Sequence, residues 1–101
     1  MTSTLLSNNF LKNVRISAKI LEAMNHPLRK RILATIEDYG SLNTEALSGV
    51  LDIRSSLVSD HLDVLRKAEI VNFNMEGKQF FYTLNYERIE KINNVIHGLA
   101  E

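Results

Sequence analysis

The sequence contains no cysteine. Disulfides, thiolate metal sites and cysteine redox switches are therefore excluded, and the absence suits a reducing cytosol. It also has no excess of charge, since 12 basic and 12 acidic residues cancel. Coating nucleic acid without discrimination relies on counterion release by many Lys and Arg, so neutrality argues against that mode while leaving room for one local patch. Residues 1–50 carry six basic and four acidic side chains and residues 51–101 six and eight, so neither half is a charged tail. Long apolar runs are missing too. Asn8, Asn9, Lys12, Asn13 and Arg15 interrupt the N-terminal segment, which excludes a signal peptide or membrane span there. The expectation is a soluble, cytoplasmic protein with no membrane partner. No repeat or low-complexity segment occurs. There is no Gly-rich phosphate loop, no nucleophile with a base and no buried-looking carboxylate pair, so neither an enzyme nor a cofactor is expected.

A chain of 101 residues with 45% hydrophobic content suits one domain, read as 1–101, with a modest core that a partner chain would help. A first helix is expected over about 8–24. Phe10, Leu11, Val14, Ala18, Leu21 and Met24 share one broad face and Ile16 and Ile20 another, which is wider than a surface helix needs. Pro27 suits a first helical turn and Gly40 a stop, so a second helix should fill 27–39 with Leu28, Ile32, Leu33 and Ile36 inward. Asn43 can cap a short third helix with a stripe of Ala46, Leu47, Val50 and Leu51. A tight break at Asp52 and Ile53 precedes RSSLVSDHLDVLRKAEI, whose helix is placed at 54–67. One side of that helix carries Leu57, Val58, His61, Leu62, Val64 and Leu65, and the other only polar residues. The period then changes from 3.6 to 2. Val71, Phe73 and Met75 alternate with polar residues, Glu76 and Gly77 turn, and Phe80, Tyr82 and Leu84 alternate again, which describes a hairpin. Ile89, Ile92, Val95, Ile96 and Leu99 form the stripe of a fifth helix.

This order predicts a mainly α fold with a β-hairpin wing: a winged helix-turn-helix of about five helices and two antiparallel strands. A recognition helix enters a major groove about 12 Å wide, and short side chains let its backbone approach the base edges. Arg54, Ser55, Ser56, Ser59 and Asp60 are the expected groove contacts. Arg66 and Lys67 at the far end, and Lys78 beside the hairpin turn, are expected to meet phosphates. The Arg29, Lys30 and Arg31 cluster adds to them, with Arg29 and Lys30 the favoured pair because Arg31 lies closer to the Leu28 and Ile32 face. A plainly solvated helix would also carry serines on its outer face and cations in its last turn. The order of the motifs, more than any one residue, favours double-stranded DNA.

From about Ala18 to Ile96 the chain resembles the ArsR-type winged-helix regulators, through ILEAMNHPLRKRILATI, LDIRSSLVSDHLDVLRKAEIV and EGKQFFYTL. The resemblance implies a homodimeric transcriptional repressor that inserts one recognition helix per protomer into a roughly palindromic operator. It also implies a dimer interface on the first and fifth helices, assigned here to Phe10, Val14, Ile92, Ile96 and Leu99. Family members commonly release DNA on binding a metal ion or another inducer, whether small molecule or protein. The metal sites are not matched. Asn43 and Glu45 stand where thiolate-type sensors carry cysteines, and the zinc-type site of the last helix would align with Tyr86, Arg88 and Leu99. No two of His26, His61 and His97 have the spacing that puts two imidazoles on one helix face, so no metal is expected; His97 alone stays a candidate ligand across a dimer.

The recognition helix departs from the family pattern as well. Arg54 stands where relatives usually have a Ser cap, so turn geometry or Ser55 must take over that role. Asp60 either accepts a hydrogen bond from cytosine N4 and reads a base, or repels the polyanion and weakens binding. Residues 54–78 carry four basic and four acidic side chains, so operator contact cannot lean on net charge there. A second reading follows from these features: a winged-helix module or adaptor that binds a protein, with little salt-dependent affinity for DNA.

Overall fold

The structure, a computed structural model, describes residues 8–100, with Ala100 described only in its backbone. Residues 1–7 and 101, which the expected unit 1–101 includes, lie outside the described residues. The elements run α1 (Asn8–Met24), α2 (Pro27–Tyr39), β1 (Leu42–Asn43), α3 (Thr44–Leu51), α4 (Ser55–Lys67), β2 (Val71–Glu76), β3 (Gln79–Leu84) and α5 (Tyr86–Ala100). The sheet has three antiparallel strands in the order β1-β3-β2, one more than the hairpin alone. The extra strand is two residues long and pairs Leu42 with Tyr82 and Asn43 with Phe81.

Local signals account for most of the helix ends. α2 starts with Pro27 after His26, whose Nδ1 accepts the Leu28 N–H at 3.1 Å. It stops at Gly40, where φ is 84° and the N–H donates to the Ile36 carbonyl. Such a φ is costly for a residue with a Cβ. Asn43 caps α3 through Oδ1, which accepts the Ala46 N–H at 2.7 Å, and its Nδ2 donates to Gln79 Oε1 at the same distance. One side chain thus ties the start of α3 to the first residue of β3, next to the tip of the wing.

The core lies where α2, α3 and α4 meet the end of α1 and the sheet. Ile20, Ile32, Ile36, Leu47, Val58, Leu62, Leu65 and Ile70 are fully buried. Val50 and Val64, expected inward, are exposed, because each sits at the margin of its apolar stripe. Arg88 fixes α5 to the turn after α4. Its Nε donates to the Ala68 carbonyl at 3.3 Å and its Nη2 lies 3.1 Å from Glu69 Oε2. Arg88 thus serves as a clamp between α5 and that turn.

Candidate nucleic-acid interface

The turn before α4 is built from backbone geometry. Asp52 adopts a left-handed conformation (φ 55°) and donates its N–H to the Ser48 carbonyl. The Ile53 N–H reaches the same carbonyl at 3.1 Å, and the Ser48 hydroxyl donates back to the Ile53 carbonyl. α4 then begins one residue later than expected, at Ser55. Arg54 is the cap residue, and its side chain makes no cap bond; only its carbonyl accepts from the Leu57 and Val58 N–H groups. Turn geometry, and not a serine side chain, therefore sets the start of the helix. The N–H groups of Ser55 and Ser56 thus receive no cap from the Arg54 side chain, an arrangement that favours an anion.

On α4 the side chains of Ser55, Ser56, Ser59, Asp60, Asp63 and Lys67 are exposed, and Arg66 is half-buried. At 1.5 Å per residue the helix is about 20 Å long, enough to cross a major groove. The wing leaves the same region of the fold. Glu76 pairs with Gln79, so Gly77 and Lys78 form a two-residue loop. A positive φ of 64° at Gly77, with none at Lys78, is the pattern of a II′ hairpin turn. Lys78 is exposed at its tip.

Among the described residues, a groove lies on each side of the helix. One is lined by Ser59, Asp63 and Arg66 from α4 and by Phe73, Phe80 and Tyr82 from the wing. Burial and the nearby Asp63 push the Tyr82 phenol up, against smaller opposing effects of Arg66 and a hydrogen bond with Thr44. The other groove is lined by Lys19, Glu22 and Ala23 from α1, Arg29 from α2, and Val64, Lys67 and Ala68 at the end of α4. Arg29, favoured over Arg31 in the cationic cluster, is the more enclosed of the two. Arg31 is exposed, while Arg29 folds back to donate from Nη1 to the Ala23 carbonyl at 2.7 Å, with its Nε buried and unpartnered. Lys30 is exposed and borders a separate hollow with Leu21, Glu22, Met24 and Asn25. Lys19 carries no signal in a one-dimensional reading, because its neighbour Lys67 is far away in sequence.

The fold also joins two histidines that sequence spacing kept apart. The rings of His26 and His61 lie 4.4 Å apart at 44°. Burial, then His26 and Arg29, hold the His61 imidazole below the usual histidine value, with Asp60 acting in the opposite direction. Among the described residues no three His, Cys, Asp or Glu side chains come together as a metal site. No described helix is long and apolar enough to cross a membrane.

Of the residues expected at a partner interface, Phe10 is only 7% exposed. It packs within its own chain, against the position of Gly98 on α5. Val14 and Ile92 are half-buried, and Ile92 packs against the core. Ile96 and Leu99 are open to solvent, as are Leu11 and Leu21 on α1.

A helix-turn-helix with a Gly-tipped wing, and short hydroxyls along the outer face of its second helix, is thus in place. Residues 26–72 match the profile of the bacterial regulatory proteins of the arsR family. The transcriptional activator HlyU of Vibrio cholerae serotype O1 is 32% identical over 88 residues, which cover 87% of this chain and 81% of that protein. The chain belongs to the ArsR family. The biofilm growth-associated repressor of Agrobacterium fabrum is 32% identical over 82 residues, covering 81% of this chain and 69% of the relative. Among solved structures, HlyU from Vibrio cholerae superposes with a TM-score of 0.72 at 32% identity, over 87% of this chain and 95% of that one. The transcriptional repressor PagR of Bacillus anthracis gives a TM-score of 0.73 at 26% identity, over 85% and 98%. These regulators place the chain among DNA-binding transcription regulators and not among enzymes.

Proposed function

We propose that this ArsR-family regulator is a homodimeric repressor that inserts α4 into the major groove of a roughly palindromic operator. The observation that carries the reading is the exposed row of Ser55, Ser56 and Ser59, next to helix N–H groups that no side chain caps. Lys67 and Lys78 lie beyond it on the helix end and wing tip, placed to hold register through phosphates. The dimer would form through α1 and α5, whose exposed Leu11, Leu21, Ile96 and Leu99 lack cover in a single chain. Residues 1–101 then act as one winged-helix domain whose terminal helices dimerise. The relatives include named repressors and a named activator, and the repressors are the model followed here. An inducer, where one acts, would be an organic molecule or a protein, since the family's metal ligands are replaced.

Fluorescence anisotropy on a duplex pool that includes the protein's own upstream region tests this reading. If Lys30, Arg66, Lys67 and Lys78 of both protomers each meet one phosphate, the slope of log K against log salt is about −7. Ser59→Glu should abolish selective binding. An intact dimer without selective, salt-sensitive binding would refute the repressor reading. The exposed carboxylates of Asp60 and Asp63 would then favour a winged-helix adaptor that docks a protein.

A further inference from the structure

We propose that the groove between α4 and the wing seats one strand of the DNA backbone, and that Phe73 positions Arg66 there to take a phosphate. The proposal rests on the DNA-binding reading above and adds two things to it, a second surface and a positioning residue.

Arg66 is held from two elements at once. Its Nη2 lies 3.8 Å from Asp63 Oδ1, one turn earlier on the same helix. Its guanidinium carbon sits 5.4 Å from the centre of the Phe73 ring on β2. That ring is itself braced: Phe80 meets it edge-on at 5.4 Å and 67°, and Tyr82 lies 6.2 Å away. A guanidinium packed over a braced ring keeps its fork in one orientation, so less freedom is lost when it binds a phosphate. Asp63 then acts toward Arg66 and does not act only as a carboxylate facing the polyanion.

The occupant follows from the lining. Phe73 and Phe80 are 41% and 42% exposed although they are large aromatics, and they form an apolar floor under a cation. A DNA strand alternates deoxyribose with phosphate, and that alternation fits an apolar floor with a guanidinium at its edge. Ser59 belongs both to this groove and to the row facing the bases. A strand lying here is therefore continuous with the duplex that α4 enters.

The test is a double-mutant cycle of Phe73→Leu and Arg66→Ala, read by anisotropy on a selected duplex over a range of salt and by the Arg66 Nε–H resonance of the free protein. Phe73→Leu should weaken binding about threefold and leave the salt slope unchanged, because the charge remains. Arg66→Ala should lower the slope by about 0.9 per protomer, and Phe73→Leu should then have no further effect. The Arg66 Nε–H resonance should move in Phe73→Leu and stay in place in Phe73→Tyr, which keeps the ring and wild-type affinity. Equal losses from Phe73→Leu with and without Arg66 overturn the proposal and leave the groove to a protein segment. So does an Arg66 resonance indifferent to the ring. A wild type with no selective DNA affinity overturns this proposal together with the reading beneath it, whereas a selective wild type with additive substitutions overturns this one alone.

Discussion

Replacing Gly98 by alanine tests the α1–α5 pairing on which the dimer reading rests. A Cβ on Gly98 would lie 2.2 Å from Cε1 and 2.9 Å from Cδ1 of Phe10, far inside contact distance. Phe10 is in the first turn of α1, and relief of the clash requires its ring to move away from Gly98. Exposing a buried aromatic ring costs about 2 kcal/mol. Removing a glycine from a helix returns about 0.5 kcal/mol, taken at the low end because Gly98 is in the last turn of α5. The expected net destabilisation is about 1.5 kcal/mol. In a Phe10→Ala background, itself less stable by about 3 kcal/mol, the clash is removed and Gly98→Ala should stabilise by about 0.5 kcal/mol.

The sign reversal is the diagnostic. Urea unfolding followed by circular dichroism reads it, at one protomer concentration for all four proteins, because association shifts the midpoint. A coupling of about 2 kcal/mol is expected across the cycle. If Gly98→Ala stabilises the wild type, or costs the same in both backgrounds, Phe10 does not pack on α5 as described and is available to a partner chain.

Three further outcomes are expected. An imidazole held below its usual value is one the native state prefers neutral, so the unfolded chain takes up the proton first as pH falls through about 6.5. The His61 contribution to stability is thus full above that pH and is lost on acidification toward the native value; urea midpoints near pH 5.5 and 7.5 should differ more in the wild type than in His61→Leu, and equal differences would refute it. Arg88→Ala should destabilise by about 1 kcal/mol through loss of the bond to the Ala68 carbonyl, since Glu69 is too exposed for the ion pair to count for much; a melting temperature unchanged from wild type would show that the clamp does not hold α5. Lys78→Ala should reduce the salt slope of DNA binding by about 0.9 per protomer and weaken all sequences alike, whereas a selective loss would mean that the wing reads bases.

What could be read in the sequence was local. α2 was legible because Pro27 and Gly40 mark its ends by backbone constraints that act within one turn. The face of α4 was legible because seven spaced polar residues leave little doubt which side is wet, though Val64 at the margin of the stripe was misplaced. What stayed hidden depends on contacts between distant segments. β1 is too short to show a period and exists only because β3 pairs with it. The apolar face of α1 was wider than one buried stripe needs, but it could not say which residue met which. Phe10 went to the chain's own α5, while Leu11 and Leu21 stayed outside. A sequence search for imidazoles one helical turn apart could not find His26 beside His61, because the cap of α2 meets the middle of α4 only in the folded chain.

The same distinction explains why net charge is a poor guide here. Within residues 54–78 the basic and acidic side chains balance, four against four. Folding changes who stands next to whom. Arg88 arrives from α5 to pair with Glu69, which adds a cation that the count of that segment omits. Lys19 and Arg29 arrive from α1 and α2 to join Lys67 along one side of α4, where Glu22 is the acidic side chain lining the groove. On the other side Asp63 is drawn to Arg66. Asp60 is then the carboxylate of the outward row whose effect on DNA is decided by position and not by charge count. Asp60→Asn separates its two roles. A gain in affinity for every duplex marks repulsion relieved, and a loss confined to duplexes with a cytosine at one operator position marks a base read by that side chain.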